Sequence, residues 1–100
     1  MTIEEQIENP DQIEKEIIHK MAFPKFDVLN NATDRATRIR HTQRAAILGN
    51  GYQCKVQIIF MTADEDIKMV ETTIWDADNE YITLKSGTLI PLSAILKIEF

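Results

Sequence analysis

The feature that most constrains this fold is a change of hydrophobic period near the middle of the chain. From Tyr52 to Phe60, apolar and polar side chains alternate, which is the pattern of a strand with one buried face. Further short segments rich in Val, Ile and Thr follow, separated by polar turns or by Ser86-Gly87, a two-residue hairpin signal. The sequence therefore predicts five short strands, at residues 52–61, 67–75, 80–85, 88–92 and 95–100.

Short strands of this kind close most economically into a small barrel, because closure removes exposed sheet edges. Pro91 has no amide hydrogen, so the fourth strand is expected to lie at an edge or to end there. Ser93-Ala94 leaves room for one helical turn before the last strand. We therefore expect a mainly β chain of the α+β class, with N-terminal helices and a five-stranded β-barrel preceded by an amphipathic helix.

That amphipathic helix is predicted at residues 33–48. Asn31 or Thr33 is a suitable N-cap, and Gly49-Asn50-Gly51 favours a left-handed stop. At about 100° per residue, one arc carries four apolar residues that we expect to be buried: Ala36, Ile39, Ala46 and Ile47. The opposite arc is basic.

An earlier helix is predicted from residue 10 to residue 21. Asn9, Pro10 and Gln12 resemble a capping box, isoleucines then recur at helical spacing, and Pro24 ends the segment. Residues 1–31 are accordingly expected to form an acidic helical extension and linker, in part disordered. Residues 32–100 are expected to form the domain of helix and barrel.

The end of the chain carries a family resemblance. Residues 86–98 combine a glycine turn, a short strand, one helical turn and a last strand. This ending resembles the Sm-like and SH3-like barrels, and with the preceding acidic turns it is similar to bacterial Rho-binding antiterminator proteins. The resemblance, over roughly residues 36–100, implies a small bacterial protein that regulates through a protein–protein contact. It also implies two properties of Sm-like proteins: RNA contact through the entry helix, and assembly into rings.

Charge is distributed unevenly along the chain. The formal net charge of −5 argues against a protein that coats nucleic acid through overall attraction. Seven acids and three lysines give residues 1–29 a charge of −4, whereas residues 30–55 carry +4 and residues 56–100 carry −5. An acidic chain can therefore still hold a local basic site.

The basic segment lies on the predicted helix. Five candidate residues for RNA or anion binding fall within ten positions: Arg35, Arg38, Arg40, His41 and Arg44. Arginine offers forked donors that suit phosphate oxygens. Two other interpretations stay open: a solvated face, or an intramolecular match for the acidic first helix.

Acidic turns are the second group of candidate binding residues. The acidic loops 64–66 and 76–80 are expected to meet a basic protein partner, and the candidate residues are Asp64, Glu65, Asp66, Trp75, Asp76 and Asp78. Trp75 could anchor such a partner, since tryptophan is enriched at the energetic centres of interfaces, or it could cap one end of the barrel.

Catalytic motifs are missing from the sequence. The three glycines are not followed by lysine at P-loop spacing, neither serine lies in a nucleophile elbow, and Cys54 is expected to be a small buried hydrophobe. His19 and His41 lie far apart in sequence and Asp64–Asp66 lacks the calcium-loop pattern, so no metal site is expected. We expect no enzyme and no cofactor.

The lengths of the apolar runs in the sequence bear on the cellular compartment. None approaches the roughly 20 residues that span a bilayer, and the first ten residues lack the basic start and apolar run of a secretory signal. We expect a cytoplasmic, non-enzymatic binding module whose partner is a protein. The alternatives are RNA binding through residues 35–44 and a homo-oligomer that pairs edge strands at residues 88–92 and 95–100.

Overall fold

A computed structural model of the chain describes residues 7–100. Its long helix α1 spans Ala32–Tyr52, and two short 3₁₀ helices span Lys15–Lys20 and Leu92–Ala94. The strands are β1 (Asp11–Gln12), β2 (Val56–Met61), β3 (Ile67–Thr72), β4 (Ile74–Ala77), β5 (Tyr81–Leu84), β6 (Leu89–Pro91) and β7 (Ile95–Glu99). They form a first sheet of order β1-β3-β2-β7 and a second sheet of order β4-β5-β6.

The five-stranded barrel, and with it the Sm-like or SH3-like architecture, is contradicted by this arrangement. Seven strands lie in two separate sheets, and the described residues form no closed barrel. The predicted strand at 67–75 is two strands, because the chain leaves the first sheet at Thr73 and enters the second at Ile74. Helix α1 lies in the middle of the chain and packs against β4 of the second sheet and β7 of the first. The chain is thus α+β with a mid-chain helix, not a barrel with N-terminal helices.

Helix α1 begins as predicted and ends later. The Asn31 side chain accepts a hydrogen bond from the Asp34 amide at 2.8 Å, so Asn31 is the N-cap. The predicted stop at Gly49–Gly51 is wrong, because the helix continues to Tyr52. Gln53 supplies the left-handed residue at φ 52°, and its amide donates to the carbonyl of Gly49.

Only half of the predicted apolar arc of α1 packs inward: Ile39 and Ala46 are partly buried against the main core. Ile47 is 69% exposed and Ala36 is exposed, whereas the buried positions are Arg38, Thr42, Ala45 and Gly49. Gly49 lies so close to β4 that a Cβ atom placed on it would be 2.0 Å from the carbonyl oxygen of Ile74. Ala45 and Gly49 let this part of the helix approach the sheet closely, so close packing requires small residues at these positions.

Strand β2 is the centre of the molecule and is buried on both faces. Ile58 and Phe60 join the main core between the first sheet, the second sheet and α1. Ile59 and Met61 join a smaller cluster on the other face, where Val28 packs against them. Cys54, predicted to be buried in this strand, lies before it and is exposed.

The predicted helix at residues 10–21 is also absent from the described structure. Strand β1 pairs in parallel with β3, and the Ile13 amide donates to the carbonyl of Met69 at 2.9 Å. A 3₁₀ helix follows and buries Ile18 completely. Ile13 thus contacts the core from the extended segment and Ile18 from the 3₁₀ helix, whereas Ile17 is 43% exposed.

The structure of the C-terminal segment agrees closely with the prediction from the sequence. Gly87 turns at φ 89°, which closes the β5–β6 hairpin, and β6 with its Pro91 is an edge strand. One 3₁₀ turn then leads into β7, as predicted. Among the described residues, no helix is long and apolar enough to cross a membrane.

Candidate partner-binding site

The predicted basic face of α1 is divided by the fold. Arg38, expected to point outward, is buried with 4% of its side chain exposed. Its Nη1 and Nη2 atoms donate to the two carboxylate oxygens of Asp27 at 2.9 and 2.7 Å, and Nη1 also donates to the carbonyl of Ile95 at 3.0 Å. The acidic partner of this helix is therefore a linker residue, not the predicted first helix.

The carboxyl group of Asp27 is the centre of this ion pair. Burial raises its pKa, but the hydrogen bonds from Arg38 and from the Leu29 amide, together with the charges of Arg38 and Arg35, outweigh burial and lower the pKa below its usual value. Arg35 contributes through Nε, which lies 3.4 Å from the Asp27 carboxylate. Arg38 is thus committed to the chain's own acid, whereas Arg35 approaches the same carboxylate with 47% of its side chain exposed.

The remaining basic residues of the helix lie on its outer side. Arg40 is exposed and donates to the Thr37 hydroxyl at 3.1 Å. The Arg44 guanidinium lies 4.6 Å from the centre of the Phe100 ring, and the His41 ring meets the same ring edge-on at 5.6 Å. Arg44 and His41 are therefore partly occupied by an aromatic neighbour.

A different surface gathers aromatic side chains. In the second sheet, Ile82, Leu84 and Ile90 point into the core, so the alternate positions point outward. Tyr81 is 42% exposed and Leu89 is 51% exposed. We call the exposed or half-exposed residues of this side the outer face: Trp75, Asp76, Tyr81, Thr83, Leu89 and Pro91.

Trp75 owes its position to a strand irregularity. The pairing of β4 with β5 shifts between Ile74 and Asp76, which leaves Trp75 as an extra residue and 46% exposed. The Asn50 side chain of α1 donates to the Trp75 carbonyl, which ties this bulge to the helix. The bulge thus presents a large aromatic side chain at a braced position.

The β4–β5 turn places carboxylates beside these aromatic residues. Asp78 accepts hydrogen bonds from the amides of Tyr81 and Glu80, both at 2.7 Å, and these bonds lower its pKa. Asp78 is therefore a turn-forming residue. Asp76 and Glu80 are exposed and form no ion pair with another residue in the range 7–100.

The other predicted acidic turn belongs to the first sheet. Asp64, Glu65 and Asp66 are exposed in the hairpin between β2 and β3, where Glu65 adopts a positive φ of 64°. Asp64 and Asp66 line a shallow cavity together with Lys20 and Lys68. This acidic turn lies in the hairpin of the first sheet and is not part of the outer face.

Tyr81 and Leu89 were missed by the sequence analysis, whereas Glu80 lies in the acidic loop 76–80 named there. The signal was available for Tyr81 and Leu89, since both are out of phase with the buried isoleucines of their strands. Over the described part of the chain, no three His, Cys, Asp or Glu side chains lie together in a group that could hold a metal ion.

Comparisons of the chain with models of known protein families, with curated proteins and with solved structures found no match.

Proposed function

We propose that this protein is a non-enzymatic binding module whose outer face docks a basic segment of a protein partner. The observation that carries the proposal is the grouping of Trp75, Tyr81 and Leu89, each about half exposed, on one side of the second sheet. Exposed apolar side chains are ordinary when scattered, but a cluster rimmed by polar groups is typical of an interaction surface. The resemblance to Rho-binding antiterminators also implies that the partner is a protein.

The physical basis of binding would be aromatic burial with charge guidance. Covering the exposed half of a large aromatic side chain is worth about 1 kcal/mol, and tryptophan and tyrosine dominate measured interface energies. Asp76 and Glu80 at the rim would speed the encounter with a positively charged segment. The formal charge of −5 favours the same class of partner.

RNA binding through α1 is less well supported as an alternative. Arg38 is buried in its pair with Asp27, so a nucleic acid would meet Arg35, Arg40 and Arg44 and not the full predicted basic face. Neutralising few phosphates supplies little of the electrostatic affinity on which nucleic-acid binding depends.

The test is a selection of peptides from a random display library against the wild-type protein. We expect selected peptides to be rich in lysine or arginine and to contain an apolar anchor. Trp75 is the only tryptophan of the chain, so its fluorescence reports directly on whether a peptide covers the outer face. Trp75→Ala and Tyr81→Ala should each weaken binding about tenfold or more, measured by calorimetry.

Phe26→Ala is the matched control for the two aromatic substitutions and should bind as the wild type does. Phe26 is an exposed aromatic residue of the linker, outside the outer face. Equal binding by Trp75→Ala and wild type would contradict the proposal. Binding of an oligonucleotide with a steep salt dependence, lost in an Arg40→Ala, Arg44→Ala double variant, would favour RNA instead. A mass that rises with concentration in light scattering would favour self-assembly.

A further inference from the structure

A polar groove continues from the outer face toward the linker. It encloses about 300 Å³ between the start of β5, the end of β6 and the Asp27–Arg38 pair. This volume is at the lower limit of small-molecule clefts and is suited to one long side chain. Tyr81 and Pro91 belong to both surfaces, so the groove is continuous with the proposed docking surface.

The electrostatic character of the groove is that of a cation site. Asp27 is paired with the buried Arg38, and Arg35 approaches the same carboxylate at 3.4 Å, so Asp27 adds no free negative charge to the groove. Glu80 is the exposed charged residue of the lining, which also includes the polar residues Asn79 and Ser93. Within residues 7–100, none of these three side chains forms a hydrogen bond to another residue or an ion pair, so all are available to a ligand.

The aromatic ring of Tyr81 adds a second feature that suits a cation. Tyr81 lines the groove and is 42% exposed. A guanidinium or ammonium near an aromatic face gains about 0.5–1 kcal/mol at exposed sites, in addition to its pairing with a carboxylate. A basic side chain also has an apolar stem, which Pro91 and Leu92 would contact.

We propose that this groove receives a single lysine or arginine side chain of the partner, with Glu80 as its counter-ion. The inference rests on the proposed function for the identity of the partner, while the groove itself can be tested alone. It assigns specificity for a basic residue to Glu80 and Tyr81, and general affinity to Trp75. Glu80 is exposed, so the effect of its charge should be modest and sensitive to salt.

The first experiment needs no partner. Butylguanidinium and butylammonium are titrated into the ¹⁵N-labelled protein, with butanol as the neutral control. We expect amide shifts confined to residues 79–81 and 91–93, strongly reduced in Glu80→Gln and unchanged in Asp64→Asn, which removes the same charge from the other sheet. Shifts spread over all acidic turns, or equal shifts with butanol, would overturn the inference.

The second experiment uses a peptide from the display selection. Its basic residues are replaced one at a time, arginine by citrulline or lysine by norleucine, and each peptide is measured against wild type and Glu80→Gln. One position should lose about fivefold in affinity against wild type and nothing against Glu80→Gln. Losses of the same size against both proteins at every position would overturn the inference.

These two experiments separate the groove from the outer face. If the cations bind at residues 79–81 but Trp75→Ala leaves peptide binding unchanged, the groove stands and the proposed docking surface fails. If Trp75→Ala abolishes peptide binding but the cations bind nowhere in the groove, the docking surface stands and the groove fails.

Discussion

Gly49→Ala tests the close approach of α1 to β4. Inside a helix this change normally stabilises by about 1 kcal/mol, because alanine has the better helix propensity. Here the new Cβ would lie 2.0 Å from the carbonyl oxygen of Ile74 and 3.0 Å from the Cγ2 of Thr73. The carbonyl is backbone and cannot rotate aside, so the helix must retreat by about 1 Å to restore an ordinary contact distance.

That retreat weakens the contact between α1 and the second sheet. Overpacking of this kind costs typically about 1–3 kcal/mol and occasionally more, and the gap it opens along Ala45 forfeits further dispersion energy. Subtracting the propensity gain, we expect the free energy of unfolding of Gly49→Ala to fall by about 2 kcal/mol. The melting temperature of a domain this size should then fall by about 10 °C.

The chain supplies its own control for this prediction. Gly51 lies two residues further along the same helix, and a Cβ atom added there meets nothing within 4 Å. Gly51→Ala should therefore stabilise, by about 0.5 kcal/mol because it is in the last turn. Urea unfolding followed by circular dichroism measures both variants. A Gly49→Ala protein as stable as Gly51→Ala would refute the close packing of α1 on β4.

Two further predictions concern stability. Asp27→Asn leaves the buried Arg38 without its counter-ion and should cost about 2–3 kcal/mol near pH 7, measured by urea unfolding, since Asp27 is 22% exposed. The pKa of Asp27 is lower in the folded than in the unfolded protein, so the stabilisation by its carboxylate is present above about pH 4 and is lost as the pH falls further. The difference in free energy of unfolding between wild type and Asp27→Asn should therefore shrink below about pH 4. A difference that stays constant would exclude the ion pair as its cause. Gln53→Gly removes the strain of a left-handed non-glycine residue and should raise the unfolding free energy by about 0.5–1 kcal/mol; a melting temperature unchanged or lower would contradict that conformation.

Local features of the fold were predictable from the sequence. Asn31 caps α1 because its side chain can bond the next turn's amide, and Gly87 closes a hairpin because its φ is positive. Such features depend on residues within a few positions of one another. The candidate site was predictable to the same degree: Trp75 and its acidic neighbours are visible in the sequence, and Tyr81 and Leu89 follow from strand alternation.

The partner of each element was not predictable. Alternation in β2 indicates one buried face, yet the linker residue Val28 covers the other. The arginines of α1 look like one basic surface, yet a single acid eleven positions before Arg38 removes that residue from solvent. The groove beside Glu80 likewise requires the linker and the second sheet to meet, which no local pattern records.

The sequence by itself determined the N-cap of α1, the Gly87 hairpin and the one-turn break before the last strand, because those depend on local backbone preferences and short-range hydrogen bonds. Only the tertiary structure decided that the strands form two sheets and not a barrel. The first sheet's β3 ends at Thr72 and the second sheet's β4 begins at Ile74, while Gly49 allows α1 to pack against that second sheet more closely than any larger residue could. Close packing between distant segments is a property of shapes in contact, and a pattern along one chain does not contain it.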